Sequence, residues 1–256
     1  MLTFRKKRGV SGSIREEEGY VAKRLPPRRV RRVRAVESEA GRLGASTRRF
    51  KVPGILDADE EAGEIRYERI DGFRPLVFAL EETPDDGRAR EAGVALATIH
   101  GALRIPAEAA IDRAGGRPGG YVAVHGDFTV LNVGLDRAGG LVVLDWVPAA
   151  AYGTYFNRAE RERDLASFLY SLFECASGYG AAWRRFERWA EAFLAGYLSV
   201  AGARMDSRLL LRLIAGWGRR SSRWLLGQGK PLGAAVAPVL GWIVSRKTKK
   251  VLKHVE

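Results

Sequence analysis

The spacing of apolar positions changes several times along the chain, and each change marks an element. Over residues 1–25 the segments TFRKKR, GVSGS and IREEEGYVAKRL predict short strands around a Gly/Ser turn. After Pro26-Pro27, RRVRRVRAVESEAGRLGAS sets Val30, Val33 and Val36 at three-residue intervals among arginines, which predicts a helix. FKVPGILDADEEAGEIRYERIDG predicts strand, acidic turn, strand. TPDDGRAREAGVALATIHGAL opens on proline and acids and then turns periodic, the pattern of a helix with a good N-terminus. YVAVHGDFTVLNVGLDRAGGLVVLDW, residues 121–146, holds two apolar runs that predict a strand pair turning at 136–140. Residues 160–256 are helical in pattern nearly throughout. There is no internal repeat. The composition shifts near Gly72, so the order predicts an α+β chain: a small β-rich lobe over 1–72 and a larger helical lobe over 73–256.

Composition narrows the partners. The chain has 256 residues and 46% hydrophobic content, enough for one large domain or two lobes sharing a cleft. Its formal net charge is +13, with a pI near 10.2. That balance points to an anionic partner such as a nucleotide, nucleic acid, phospholipid surface or anionic glycan; an arginine-rich coding bias would give it too. The single cysteine, Cys175, lies in an apolar run and is expected to be a buried thiol. One cysteine builds no disulfide framework, so a reducing cytoplasm is the expected compartment. MLTFRKKRGV has basic residues but no signal-peptide core. The longest uncharged run, PLGAAVAPVLGWIVS at 231–245, is too short to span a membrane and contains two prolines.

The chemistry concentrates in 121–146. His125-Gly126-Asp127 and Asn132 fall between the two apolar runs, and the second run closes on Asp145. Strands disfavour such residues, and each alone reads as a turn residue. Together they do more. A short hairpin brings the outer ends of its strands side by side, so Asn132 and Asp145 can share one hard cation. Amide and carboxylate oxygens suit Mg2+, which is commonly held by few protein ligands plus substrate phosphates. Asp127 is then free to accept a proton from a hydroxyl nucleophile.

HGDFTVLN followed by VVLDW resembles the catalytic segment of the aminoglycoside phosphotransferase and choline kinase-like family, small-molecule relatives of the protein kinases. The resemblance implies a bilobal protein kinase-like fold, ATP and Mg2+ as cofactors, and phosphate transfer to a hydroxyl. It also implies roles further afield. Lys23 in YVAKRL matches the lysine that pairs with nucleotide phosphates. An acid on the next helix should hold it; ESEAGRL offers Glu37 and Glu39, and Glu39 is closer to the family pattern. Backbone groups near Glu68 and Ile70 would bind adenine. LATIHGAL matches the helix before the catalytic loop. Asp164 in RDLASFL would brace that loop, with His125 a structural support rather than a base. RGVSGSI, with Gly9, Ser11 and Gly12, would cover the phosphates, although it is shorter than a full glycine-rich loop.

Other features have plainer readings beside functional ones. His100 reads as core, and Trp183, Trp189, Trp217 and Trp224 as packing at helical spacings. The run KRLPPRRVRRVR reads as a solvated helix face or as a contact for a phosphorylated or nucleic-acid substrate. GWIVSRKTKKVLKH reads as a docked helix with a basic tail, or as a peripheral contact with the anionic inner membrane face. The acids of RAERERD are interleaved with arginines, so no acidic pocket for a polycation is evident. The net charge favours an anionic acceptor, such as a glycan or lipid-linked hydroxyl. HGDFTVLN also resembles the atypical protein kinases of the tRNA-modification complex, but those end soon after the Asp-Leu-Ala segment, where this chain continues with about ninety more residues. A catalytically silent nucleotide-binding module would not need Asp127, Asn132 and Asp145 together. A nucleic-acid binder rests on charge alone.

Overall fold

The structure is a computed structural model that describes residues 14–83, 86–113, 120–146, 156–175, 179–202 and 205–255. IREEEGYVAKRL folds as a hairpin rather than one strand. β1 (Ile14–Glu17) and β2 (Tyr20–Arg24) turn through Gly19, whose φ of 82° costs a glycine little. β3 (Ile55–Asp59) and β4 (Glu64–Glu68) flank the acidic turn, where Asp59 Oδ1 accepts from the N–H groups of Glu61 and Ala62 at 2.9 and 2.8 Å. The four strands form an antiparallel sheet in the order β1-β2-β4-β3.

α1 (Pro27–Thr47) starts with proline in its first turn and closes on Arg48 in the left-handed region. Val30, Val33 and Val36 are buried, while Arg28, Arg31, Arg32 and Arg34 face water. Val30 and Val33 pack with Leu25 and Ile65 of the sheet side. Each such valine contributes about 1.5–3 kcal/mol of burial.

The chain leaves the sheet through β5 (Arg74–Pro75) and α2 (Leu76–Glu82), a short helix for which the sequence offered no separate signal. Then follow α3 (Gly87–Ala102), β6 (Val122–Ala123), β7 (Val133–Leu135), β8 (Leu141–Val143) and β9 (Arg158–Ala159). Four helices complete the larger lobe: α4 (Glu162–Glu174), α5 (Tyr179–Ala201), α6 (Ser207–Gly227) and α7 (Pro231–Val255). α3 and α5 approach closely enough that a Cβ at Gly93 or Gly196 would strike the other helix's backbone. Phe128, Phe168, Trp189 and Phe193 fill the core beside them, with the Phe168 and Phe193 rings stacked at 3.9 Å. Trp217 is buried as well; the side chain of Trp183 lies outside the described residues. Cys175, at the end of α4, is half-buried rather than enclosed, because it caps the helix at the rim of the core.

The two lobes are also stitched away from the main crossover. Lys51, just after α1, lies parallel to β8. Its N–H donates to Leu141 O at 2.8 Å and its carbonyl accepts from Val143 N at 2.9 Å. Its ammonium pairs with Asp136 in the β7–β8 turn. The hairpin that carries Asn132 and Asp145 is thereby bonded to the small lobe.

Candidate active site

The β7–β8 hairpin aligns Val133 with Val143 and Leu135 with Leu141. Its turn is closed by Asp136, whose N–H donates to Gly140 O at 2.9 Å and whose Oδ1 accepts from Ala138 and Gly140. At the open end Leu144 N–H donates to Asn132 O at 2.7 Å, so Asn132 and Asp145 emerge from neighbouring strands. Asp145 has φ 56°, a left-handed conformation that aspartate tolerates better than most residues.

Behind the loop, Asp164 is buried and accepts three hydrogen bonds: from His125 N at 2.7 Å, Gly126 N at 2.9 Å and His100 Nε2 at 3.1 Å. These donors hold its carboxyl below the usual carboxylate value against the opposing pull of burial. His100 also meets the Tyr197 hydroxyl at 2.9 Å through Nδ1, so this core histidine positions Asp164. His125 has both ring nitrogens occupied: Nδ1 accepts from Asp127 N–H at 3.2 Å and Nε2 donates to Leu144 O at 2.9 Å. That pattern fixes a neutral Nε2–H tautomer, and burial lowers its pKa in agreement. The ring packs between Trp146 and Phe128, at 4.7 and 5.7 Å. With both nitrogens engaged, His125 links the loop to β8.

In front of the loop stands Asp127. Asn132 Nδ2 donates to its Oδ2 and to its backbone carbonyl, both at 2.9 Å. Enclosure, then the charges of Asp145 and Asp164, push its carboxyl up to about 8, against the Asn132 bond and the Lys23 charge. Lys23, buried on β2, forms an ion pair with Asp145 Oδ1 at 2.5 Å. The expected partner, Glu39, is elsewhere: it pairs with Arg42 on the outer side of α1. Glu37 is the buried acid. It accepts from Tyr67 Oη at 2.7 Å and from the backbone N–H of Trp146, and it feels the Lys23 charge. Burial raises its carboxyl to about 7, and burial, then the Glu37 charge, raises the Tyr67 hydroxyl's pKa. Helical phase explains the exchange. Residues 30, 33, 37, 40 and 44 share the buried face of α1, and position 39 points away from it.

The donor set fits a hard cation. With Nδ2 turned toward Asp127, Asn132 keeps its amide oxygen available, and Asp145 keeps Oδ2 while Lys23 takes Oδ1. Among the described residues no group of three or more His, Cys, Asp or Glu side chains is set to hold a metal alone. A cation here would complete its shell with phosphate or water oxygens, the habit of Mg2+.

The other expected residues contribute unequally. Glu68 and Arg69 spend their N–H groups on Gly54 O and Gly19 O, at 2.8 and 3.3 Å, so Glu68 has no amide left to offer. Ile70 follows, its carbonyl accepting from Phe73 N at 3.3 Å. Gly9, Ser11 and Gly12 lie outside the described residues. The acids near Asp164 are engaged internally. Glu160 pairs with Arg113 and Arg163 at 2.8 and 3.0 Å, and Glu162 accepts from Asp206 N.

No family model and no curated protein matches the sequence. Solved structures do match the fold. A choline/ethanolamine kinase family protein from Mesorhizobium loti aligns over 98% of this chain and 91% of its own, at 15% identity and TM-score 0.56. The chain has a bilobal kinase-like fold. A macrolide 2′-phosphotransferase from Brachybacterium faecium shares it over 92% of this chain and 91% of its own, at 17% identity and TM-score 0.55. The choline kinase of Streptococcus pneumoniae shares it over 91% and 86%, at 16% identity and TM-score 0.54, and has also been solved with AMP. The kinase fold here therefore extends through α5, α6 and α7, beyond the segment that carries the motifs.

Proposed function

We propose that this protein is an ATP- and Mg2+-dependent phosphotransferase that moves the γ-phosphoryl group to a hydroxyl of a small molecule or of a glycan- or lipid-linked acceptor. One observation carries the reading: the Asp127 carboxylate, fixed by Asn132, lies within electrostatic reach of the Lys23–Asp145 pair. Phosphoryl transfer asks a protein for positioning and charge more than for covalent chemistry. Lys23 would bind phosphate oxygens, and Glu37 would set its position. Asp127 would orient the acceptor hydroxyl and take its proton as the new O–P bond forms and ADP leaves. Asn132 and Asp145 would hold Mg2+, which neutralises charge on the phosphates. Residues from Ile70 onward would meet adenine, and backbone amides of Gly9, Ser11 and Gly12 would cradle the phosphates. The AMP complex of the S. pneumoniae choline kinase supports a nucleotide site. The engaged acids Glu160 and Glu162 and the +13 net charge favour an anionic acceptor over a polycation.

The test is transfer from radiolabelled ATP, with Mg2+, to a panel of sugar, amino-alcohol, lipid-linked and protein acceptors. One class should become labelled, and Asp127→Asn should still bind ATP but transfer about 100- to 10,000-fold more slowly. Mg-dependent ATP binding with no transfer to any class would defeat the reading.

A further inference from the structure

Residues 207–255 contain eleven Lys or Arg and no Asp or Glu. They form α6 and α7, packed so tightly that a Cβ at Gly218 would meet the Ala237 carbonyl. One face of each helix is buried, with Leu210, Leu213 and Ile214 on α6 and Ala234, Ala237 and Val244 on α7. The opposite faces are open. On α6 the open face carries Arg208, Arg212, Arg219 and Arg223, all exposed. On α7 it is apolar: Leu232 is 84% exposed, Val236 48%, Val239 53% and Trp242 56%. Leu226, at the end of α6, is 57% exposed. Further along the same face of α7 come Arg246, Lys250 and Lys253, in register with Leu232, Val236 and Val239 on a 3.6-residue helix.

These apolar residues are not scattered. Five of the ten large apolar side chains that are exposed among the described residues fall within 226–242. Single exposed hydrophobics need no explanation, but a contiguous stripe rimmed by one sign of charge marks a contact surface. The Arg246 guanidinium lies over the Trp242 ring at 4.7 Å, so the stripe and the basic segment meet there. The acid facing this segment from α5, Glu187, pairs with Lys247 and Lys250 at 2.9 and 2.7 Å and leaves the region strongly positive.

We infer that the α6–α7 hairpin docks on an anionic lipid surface, with Leu232, Val236, Val239 and Trp242 entering the boundary between headgroups and acyl chains and the flanking arginines and lysines meeting lipid phosphates. A second copy would bring the same positive charge against itself. Nucleic acid would satisfy the arginines but leave the apolar stripe in water. An anionic bilayer accepts both. Among the described residues no helix is long and apolar enough to cross a membrane, so the contact is peripheral. The docking does not depend on the phosphotransfer reading and is tested without it.

The experiment is co-sedimentation of the full chain with neutral phosphatidylcholine vesicles and with vesicles in which about a third of the lipid is phosphatidylglycerol. The protein should sediment with the anionic vesicles and be released by salt. Arg219→Gln with Arg223→Gln should weaken binding on the order of tenfold. The triple variant Leu232→Gln, Val236→Gln, Val239→Gln should weaken it at least as much at unchanged melting temperature, since these side chains are exposed. Brominated lipid should quench a tryptophan signal that disappears in Trp242→Phe. Three results would overturn the inference: no preference for anionic vesicles, wild-type binding by the apolar triple variant, or conversion of a dimer to a monomer by that variant. Binding that duplex RNA matches, with the same indifference to the apolar triple variant, would assign the surface to nucleic acid instead.

Discussion

Asp164 and Asp127 stand on opposite sides of one loop, and their carboxyls behave oppositely. Asp164 is enclosed yet held low, because three donors converge on it. Asp127 has one side-chain donor and two acidic neighbours, and its carboxyl is pushed up to about 8. Burial opposes the charged form in both, so the number of donors decides the outcome. The satisfied acid fixes the loop, and the under-satisfied acid keeps capacity for a proton or a ligand. The contrast separates structure from chemistry within 40 residues of chain.

The comparison can be broken in several ways. The largest effect is expected at the front: Asp127→Asn should cut phosphate transfer about 100- to 10,000-fold while the melting temperature holds or rises. A matching loss of stability would erase the distinction from Asp164. At the back, Asp164→Ala strands two buried backbone N–H groups and the His100 bond. It should cost about 3–5 kcal/mol, read as a fall in melting temperature of roughly 10 °C. His125→Phe keeps the ring but leaves Asp127 N–H and Leu144 O without partners, and should cost roughly 2–4 kcal/mol in urea unfolding.

The smallest effects concern the α1 acids. Glu37 is raised from 4.5 to about 7, so the folded state retains a proton that the unfolded chain has released. Its contribution therefore turns progressively unfavourable as pH rises from 4.5 to about 7 and is constant above that. Glu37→Gln should remove that part of the pH dependence, worth at most about 3 kcal/mol. Parallel melting curves for variant and wild type across this range would refute it. Glu39→Ala should change stability by less than about 0.5 kcal/mol at any pH.

The loop was legible in the sequence because its residues sit close together and its chemistry is carried by residue type and spacing. Val30 and Val33 likewise announced the buried face of α1. Glu37 is legible in principle, since it continues the 30–33–40 face, but family likeness favours Glu39, which the helical phase turns to the outer side. The β1–β2 hairpin hides in IREEEGYVAKRL because its turn needs a single glycine between acids and aromatics. α2 has only seven residues and no capping signal, and it forms by burying Leu76, Val77 and Leu80. The Lys23–Asp145 contact joins residues 122 positions apart, a pairing that no local pattern encodes.

The seam at Lys51 gives the cleft a pivot. β8 is bonded to the small lobe at Leu141 and Val143, one strand-end away from Asp145. Points next to a pivot travel least when two bodies turn about it. A turn of the lobes about this seam would leave Asn132 and Asp145, both on the hairpin, at nearly constant separation, while Lys23, out on β2, would sweep an arc. Lys23 would then be the moving member of the Lys23–Asp145 pair, and Asp145 the fixed one.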